Sequence, residues 1–138
     1  MDVLTERSSR VVSLAKLHRS SVRRTENRFL AEGANAVDAA LVTGRAQQLL
    51  VREDEQQRHG DLVDRAHAAG LPVHVLNARA ADKLSETTTA PGIFAVCELL
   101  TLSLAEVDDA AWSGGFVVVA VEPREPGNAG TLIRCADA

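Results

Sequence analysis

Apolar positions follow two alternating patterns over the first hundred residues of the chain. Short apolar runs typical of strands alternate with segments whose apolar residues recur at helical spacing, and glycine, proline or asparagine separates them. The strand-type runs are 28–32, 47–51, 72–76 and 92–98, and the helical segments are 36–42, 62–69 and 78–84. Strands that alternate with helices in this way predict a layered α/β domain whose sheet is at least partly parallel.

The residues before this domain differ from it in pattern and in charge. Residues 6–18 have apolar side chains at helical spacing and predict a short amphipathic helix, whereas residues 20–27 are polar and predict an exposed connector. Residues 1–28 hold seven Arg and Lys against three acids, while the rest of the chain holds eight against sixteen. The chain has a net charge of −4, yet its positive charge lies in a basic helical arm, residues 1–27.

A second α/β pattern begins after the domain of residues 28–100. Residues 101–115 are mixed in character and are expected to be a linker. Residues 116–121 form a continuous apolar run, typical of a parallel strand that is buried on both faces. A Pro/Gly loop (122–130) and a helix start (131–138) follow. One strand and one helix cannot bury a core, so we expect residues 116–138 to begin a domain whose remainder is absent.

Composition excludes several classes of protein. The chain is 46% hydrophobic and has no apolar run near the ~20 residues of a membrane span, so we expect neither disorder nor membrane insertion. Its start lacks a secretory signal, which favours the cytoplasm. The two cysteines, Cys97 and Cys135, are expected to be reduced, buried thiols, and the four histidines show no metal-ligand spacing. Aromatic residues are only 3% of the chain, so any nucleic acid would be bound through phosphate and shape rather than base stacking.

The most specific pattern follows the second apolar run. Glu122 ends the run, and Pro126-Gly127-Asn128-Ala129-Gly130 leads into Leu132-Ile133-Arg134-Cys135-Ala136. This order resembles the first motif of the SpoU (TrmH-like) class of RNA 2'-O-ribose methyltransferases. The resemblance continues upstream through residues 4–7, 23–24, 28–33 and 92–96, which are similar to the amino-terminal substrate-binding domain of that family. The fold of that domain is like that of small RNA-binding ribosomal proteins.

The resemblance implies an activity and two site residues. It implies methyl transfer from S-adenosylmethionine to a ribose 2'-hydroxyl, in a catalytic domain with a trefoil knot that dimerises. By position, Arg134 would help to activate the hydroxyl and Asn128 would orient the site. Arginine is normally protonated, so Arg134 would act together with an RNA phosphate or clamp that phosphate with two hydrogen bonds. The motifs that form the cofactor pocket are expected beyond Ala138, so the chain as given is expected to be monomeric and inactive.

Three groups of residues are candidates for RNA contact. Glu32, Gly33 and Asn35, at a strand-to-helix turn, can offer backbone N–H groups and an amide to a folded RNA, or simply cap a helix. Thr88 and Thr89 can contact the ribose-phosphate backbone, or merely form a loop. The third group is the arginines of the basic arm, which suit phosphate contacts but also suit a solvated surface: Arg7, Arg10, Arg19, Arg23, Arg24 and Arg28.

Three functions remain open at this point. The first is the RNA-recognition part of a methyltransferase that acts on structured RNA, with 23S ribosomal RNA favoured over transfer RNA because an added basic domain suits a large folded target. The second is a non-enzymatic RNA-binding module related to ribosomal proteins. The third is a small nucleotide-binding α/β protein, which would show a tighter glycine fingerprint and a later acidic ribose contact. Residues 116–138 distinguish them, and they favour the first.

Overall fold

The protein, in a computed structural model, is described for residues 2–106 and 117–138. It divides into two units, Met1–Leu100 and Thr101–Ala138. The first unit has strands β1 (Val3–Leu4), β2 (Arg28–Glu32), β3 (Ala46–Arg52), β4 (Val73–Leu76) and β5 (Ile93–Glu98). Its helices are α1 (Ser9–Ala15), α2 (Ser20–Glu26), α3 (Ala34–Val42), α4 (Gly60–Ala68) and α5 (Ala78–Leu84), with 3-10 turns at Lys16–His18 and Glu53–Glu55.

The five strands form one mixed sheet in the order β1-β4-β3-β5-β2. Strand β4 is parallel to both β1 and β3, whereas β5 is antiparallel to both β3 and β2. The prediction of an α/β domain with a partly parallel sheet is therefore confirmed. The strand predicted at residues 28–32 and the helix predicted at residues 78–84 have the predicted bounds. Helix α5 begins at an asparagine cap, as expected, because Asn77 Oδ1 accepts a hydrogen bond from the amide of Ala80 at 2.8 Å.

Helices cover both faces of the sheet, which gives two apolar cores. Leu14, Leu50 and Phe94 belong to the core under α1 and α5, and Val37 and Leu49 belong to the core under α3 and α4. Because neighbouring residues of a strand point to opposite faces, Leu49 and Leu50 serve different cores. All of Ile93–Cys97 is buried, as expected for a strand with neighbours on both sides and helices on both faces. Burial also raises the pKa of the Cys97 thiol to about 11.

The amino-terminal residues contain one element that was not predicted and one that was predicted wrongly. Val3 and Leu4, for which the sequence predicted no element, pair with β4 as a short edge strand. The connector predicted at residues 20–27 is helix α2, and Asn27 closes it in the left-handed conformation with φ 53°. Local pattern gave no helix signal here because α2 is only seven residues long and contributes one apolar residue, Val22, to the core.

The arm of residues 1–27 is also not an appendage. Val11, Leu14 and Leu17 are buried in the core that contains Leu50 and Phe94. The amphipathic helix predicted at residues 6–18 is confirmed in substance, as α1 continued by the 3-10 turn. Its apolar side forms part of the domain, and only its polar side remains available to a partner.

The second unit differs from the predicted strand, loop and helix. Phe116 lies outside the described residues, and residues 117–121 form no strand. A strand that is buried on both faces needs neighbouring strands to hydrogen-bond with, and the described part of this unit supplies none. A 3-10 turn spans Leu104–Glu106, and helix α6 spans Pro126–Asp137. The helix begins five residues before the predicted start because Pro126, at its first turn, fits the helical φ. Contrary to expectation, Cys135 on α6 is exposed.

Across the residues described, no helix is long and apolar enough to cross a membrane.

The backbone at Gly92 gives a prediction about stability. Gly92 has φ 74°, and a Cβ atom there would lie 2.7 Å from Glu55 Cγ. Gly44 has φ 68° but no atom within 4 Å of an added Cβ. Both Gly→Ala changes cost the strain of positive φ, and only Gly92→Ala adds a clash. We expect Gly92→Ala to lower the free energy of unfolding by about 1–3 kcal/mol more than Gly44→Ala in urea titrations. Equal losses in the two variants would show that Glu55 moves aside without cost.

Candidate functional site

Five connections meet at one edge of the sheet. Strands β1, β4, β3 and β2 run in one direction and β5 runs in the other. The segments that follow the four strands and the segment that precedes β5 therefore lie at the same edge, which we call the carboxyl edge. Residues 5–8, 53–59, Asn77, Gly33 and the loop 85–92 make up this edge. Two of the predicted groups, the Glu32–Asn35 turn and the threonines of the loop, are thus brought to one place.

Glu32 ties the loop 85–92 to the end of β2. One carboxylate oxygen, Oε1, accepts hydrogen bonds from Ser85 Oγ and, at 3.1 Å, from Thr87 Oγ1. The other, Oε2, accepts from the amide of Glu86 at 3.1 Å. An ionised carboxylate accepts such bonds strongly, so Glu32 holds the start of the loop in place. The prediction that the turn of Glu32, Gly33 and Asn35 contacts RNA concerns its backbone N–H groups and amide, and the carboxylate of Glu32 bonds to the loop.

The other end of the loop is held by residues that sequence analysis did not select. Gly92 accepts a hydrogen bond from the amide of Arg52 at 2.8 Å, and the buried His59 places Nε2 3.4 Å from the carbonyl of Pro91. Gly33, with φ 94°, donates its amide to Ile93 at 2.9 Å and packs on Pro91. The glycine at position 33 was the sequence signal for the turn. The contact of His59 with Pro91 joins residues 32 positions apart and has no local signature in the sequence.

The middle of the loop and the start of α3 present unpaired polar side chains. Thr88 and Thr89 are exposed at the centre of the loop, and Asn35 is exposed on the first turn of α3. Among the residues that the structure describes, these three side chains make no hydrogen bond to the protein. Hydroxyl and amide groups on a fixed backbone suit hydrogen bonding to the phosphates and hydroxyls of a folded nucleic acid.

Ion pairs stiffen the carboxyl edge beside this loop. Arg52 donates Nε to Asp54 at 2.5 Å and contacts Glu55 at 3.3 Å, and Glu55 lies 3.6 Å from His59. The hydrogen bond from Arg52 lowers the pKa of the Asp54 carboxyl and raises that of the Arg52 guanidinium. Across residues 2–106 and 117–138, no cluster of three or more His, Cys, Asp or Glu side chains could hold a metal ion.

The six arginines of the amino-terminal region do not form one patch. Arg7 follows β1, which lies at one end of the sheet, whereas β2 lies at the other. Four strand spacings, or about 19 Å, separate these two strands. Arg19 immediately precedes α2, Arg24 lies within it, and both side chains are exposed. Arg10 and Arg28 border a separate groove with Gln48. The basic segment of the sequence is thus spread over several surfaces of the folded domain.

Arg23 has a structural contact that sequence analysis could not show. Its Nη1 donates to the carbonyl oxygens of Leu17 at 2.8 Å and His18 at 2.9 Å, at the end of the 3-10 turn. These carbonyls have lost their helical partners, so the guanidinium satisfies groups that would otherwise be partly buried and unpaired. Arg24, the next residue, is exposed and makes no side-chain hydrogen bond within the described part of the chain.

Asn128 and Arg134 lie on one helix in the second unit. Both are exposed on α6, six positions apart, so they point about 120° away from each other around the helix axis. Asn128 was expected in a loop before the helix, but it lies in the first helical turn. An apolar groove of about 280 Å³ lies within this unit, between residues 118–120 and α6.

Comparison with known proteins gives a family and several relatives. The family model of the MRM3-like substrate binding domain matches residues 8–95. The chain is 33% identical over 133 residues to the 23S rRNA (guanosine(2553)-2'-O)-methyltransferase RlmP of Bacillus subtilis (strain 168). That match covers 96% of this chain and 48% of the relative, so the chain spans about half the length of the curated relative that it matches.

Solved structures give the same picture. A crystal structure of an RNA 2'-O ribose methyltransferase superimposes with a TM-score of 0.69 and 29% identity, covering 99% of this chain and 52% of that one. An rRNA methyltransferase from Sinorhizobium meliloti superimposes with a TM-score of 0.60 over 72% of this chain and 37% of its own. At 18% identity the second match supports the fold alone.

The contacts of Arg23 predict a difference between two neighbouring substitutions. Arg23→Ala removes both hydrogen bonds to the 3-10 turn and should lower the free energy of unfolding by about 2 kcal/mol. Arg24→Ala removes an exposed side chain and should change it by less than about 0.5 kcal/mol. Chemical denaturation of both variants checks this. Equal stabilities would contradict a structural role for Arg23.

The contacts of Glu32 predict a local change in dynamics. Glu32→Gln leaves one acceptor oxygen for three donors, so the loop should open more often. We expect the amide of Glu86 to exchange with deuterium about tenfold faster, while Glu98→Gln, an exposed change on β5, leaves that rate unchanged. Unaltered exchange at Glu86 in the Glu32→Gln protein would show that the carboxylate does not hold the loop.

Proposed function

The chain belongs to the family of MRM3-like substrate-binding domains, and we propose that it is the RNA-recognition part of an RNA 2'-O-ribose methyltransferase. The family match over residues 8–95 supports a substrate-binding role for the first unit. The relatives are themselves named as RNA or ribosomal RNA 2'-O-methyltransferases. The substrate of this chain, on this proposal, is structured RNA, and 23S ribosomal RNA is favoured over transfer RNA.

The single observation that supports RNA recognition most directly is the loop 85–92. Glu32 fixes one end of the loop, and Gly33, Arg52 and His59 fix the other, while Thr88 and Thr89 between them are exposed. The hydroxyls are therefore presented by a held backbone, at the same edge as Asn35. A surface of this kind reads the shape of a folded RNA rather than stacking on its bases, which agrees with the low aromatic content.

The arginines have different roles in this proposal. Arg7, Arg19 and Arg24 are exposed and suit phosphate contacts at the periphery of the complex, where they add affinity without sequence information. Arg23 serves the fold through its carbonyl contacts. Arg10 and Arg28 border a groove of their own.

The second unit, on this proposal, begins the catalytic domain, with Asn128 and Arg134 as the residues that approach the target ribose. Arg134 would contact the RNA phosphate beside the reacting 2'-hydroxyl and stabilise charge there. S-adenosylmethionine, which would supply the methyl group, does not fit the groove of this unit. The groove is lined by Val118, Ala120, Ala129, Leu132, Ile133 and Ala136, and these apolar side chains cannot pair with the cofactor's carboxylate, amine and ribose. A trefoil knot and a dimer belong to the proposal for the whole enzyme.

Substitutions in the loop test the RNA-recognition proposal. Thr88→Ala or Thr89→Ala removes one hydrogen bond to RNA and should weaken binding to a 23S ribosomal RNA transcript by about three- to tenfold. Thr43→Ala removes an exposed hydroxyl at the opposite edge of the sheet and should leave the affinity unchanged. Filter binding at fixed salt measures all three, with transfer RNA as the competing RNA. If the loop variants bind as tightly as the original protein, the carboxyl edge is not the RNA-binding surface.

A further inference from the structure

A polar groove lies between α1 and the sheet, away from the loop 85–92. It has a volume of about 430 Å³, and its polar lining includes Ser9, Arg10 and Ser13 of α1, Arg28 of β2 and Gln48 of β3. Arg28 is the first residue of β2, whereas Glu32, which holds the loop, is the last. The two ends of this strand are about 13 Å apart. The groove is therefore a second polar site on the same domain.

Both arginines are held in place by a protein acceptor. Gln48 Oε1 accepts a hydrogen bond from Arg10 Nη1 at 3.1 Å, which fixes the guanidinium against the sheet. Glu26 Oε2 accepts from Arg28 Nε at 2.9 Å. Among the residues that the structure describes, the remaining N–H groups of both guanidiniums make no hydrogen bond. Each arginine is thus oriented and still has donors to offer to a ligand.

The hydroxyls of α1 add neutral donors on the same wall. Ser9 and Ser13 are four residues apart and therefore lie on one face of the helix. Their hydroxyls make no hydrogen bond to the part of the protein that the structure describes. Two guanidiniums and two hydroxyls around one small groove match the needs of a phosphate group, which carries negative charge and several acceptor oxygens.

The charge of Arg10 acts on a residue behind the groove. Burial lowers the pKa of the His74 ring on β4, and the nearby charge of Arg10 lowers it further. Its Nε2 is buried and has no hydrogen-bond partner among the described residues. Two acidic residues lie beside Arg28, since Glu26 pairs with it and Glu98 is directly opposite it on β5, whereas Arg10 forms no ion pair among the described residues.

We propose that Arg10 and Arg28, with the hydroxyls of Ser9 and Ser13, bind a backbone phosphate of the RNA. This inference rests on the proposed function and adds a second contact to it. The RNA would meet the domain through the threonine loop beside the end of β2 and, at the start of the same strand about 13 Å away, through Arg28 of this groove. Two contacts at that spacing fix the orientation of an RNA on the domain, which a single contact cannot do.

The first experiment uses inorganic phosphate on the full 138-residue chain. Phosphate should shift the nuclear magnetic resonance signals of the Nε–H groups of Arg10 and Arg28 in a saturable manner. Chloride at equal ionic strength should not shift them, and Arg65, which is paired with Asp38 on the other side of the sheet, should not respond to either salt. Signals of Arg10 and Arg28 that respond no more than those of Arg65 would overturn the proposal.

The second experiment measures the affinity for the 23S ribosomal RNA transcript in variants that keep the charge. Arg10→Lys and Arg28→Lys each retain one positive charge but lose the planar fork that pairs with phosphate. Each should raise the Kd about three- to tenfold, whereas Arg65→Lys should not change it. Circular dichroism melting checks that the variants fold alike.

The two experiments separate the possible failures. Phosphate shifts together with unchanged RNA affinity in both lysine variants would overturn the RNA assignment and identify the ligand as a small phosphate-bearing molecule. If the unaltered chain binds no RNA at all, the proposed function fails. In that case the phosphate titration still decides whether the groove is an anion site.

Discussion

The antiparallel insertion of β5 determines where the polar residues of this protein meet. Because β5 runs against both β3 and β2, those two strands end at the edge where β5 begins. The loop 85–92 must therefore pass beside the ends of both strands, within reach of Glu32 on one side and Arg52 on the other. Complete burial of Ile93–Cys97 makes this register costly to change, since a shift of one residue would exchange the two core faces. The candidate site is thus a consequence of how one central strand is packed.

The same arrangement explains why a chain of net charge −4 can still suit RNA. Three acidic groups at the carboxyl edge bond within the protein: Glu32 holds the loop, and Asp54 and Glu55 pair with Arg52. Their carboxylates are therefore engaged by groups of the domain itself. The exposed hydroxyls of the loop and the amide of Asn35 are neutral, and Arg7, Arg19 and Arg24 are exposed on other parts of the domain. Recognition of this kind relies on a held shape with phosphate contacts at its margins, which suits a folded RNA better than a single strand.

Local patterns predicted most of the sheet and little of the site. The strands of residues 28–32 and 93–98 have strong apolar signatures, and Asn77 marks the start of its helix, so these were predictable. Helix α2 was missed because it has no apolar periodicity of its own. It is held by Val22, which packs on the core, and by the hydrogen bonds of Arg23 to the preceding 3-10 turn. Arg23 looked like one of six equivalent cations, and only tertiary structure shows that its guanidinium bonds to Leu17 and His18. Likewise, a carboxylate at position 32 gives no hint in sequence of three donors more than fifty residues away.

On the proposed function, this chain guides an RNA ribose methyltransferase to its substrate. The most direct measurement is methyl transfer from labelled S-adenosylmethionine to 23S ribosomal RNA and transfer RNA transcripts by the full-length gene product. The same assay is run on an Arg134→Ala variant and on a double variant that carries Thr88→Ala and Thr89→Ala. We expect label on a ribose 2'-hydroxyl of ribosomal RNA. Arg134→Ala should abolish it, and the double threonine variant should recover it only at higher RNA concentration. Absence of transfer to either RNA, in a preparation shown to be folded and supplied with cofactor, would rule out the methyltransferase function and leave a non-enzymatic RNA-binding module.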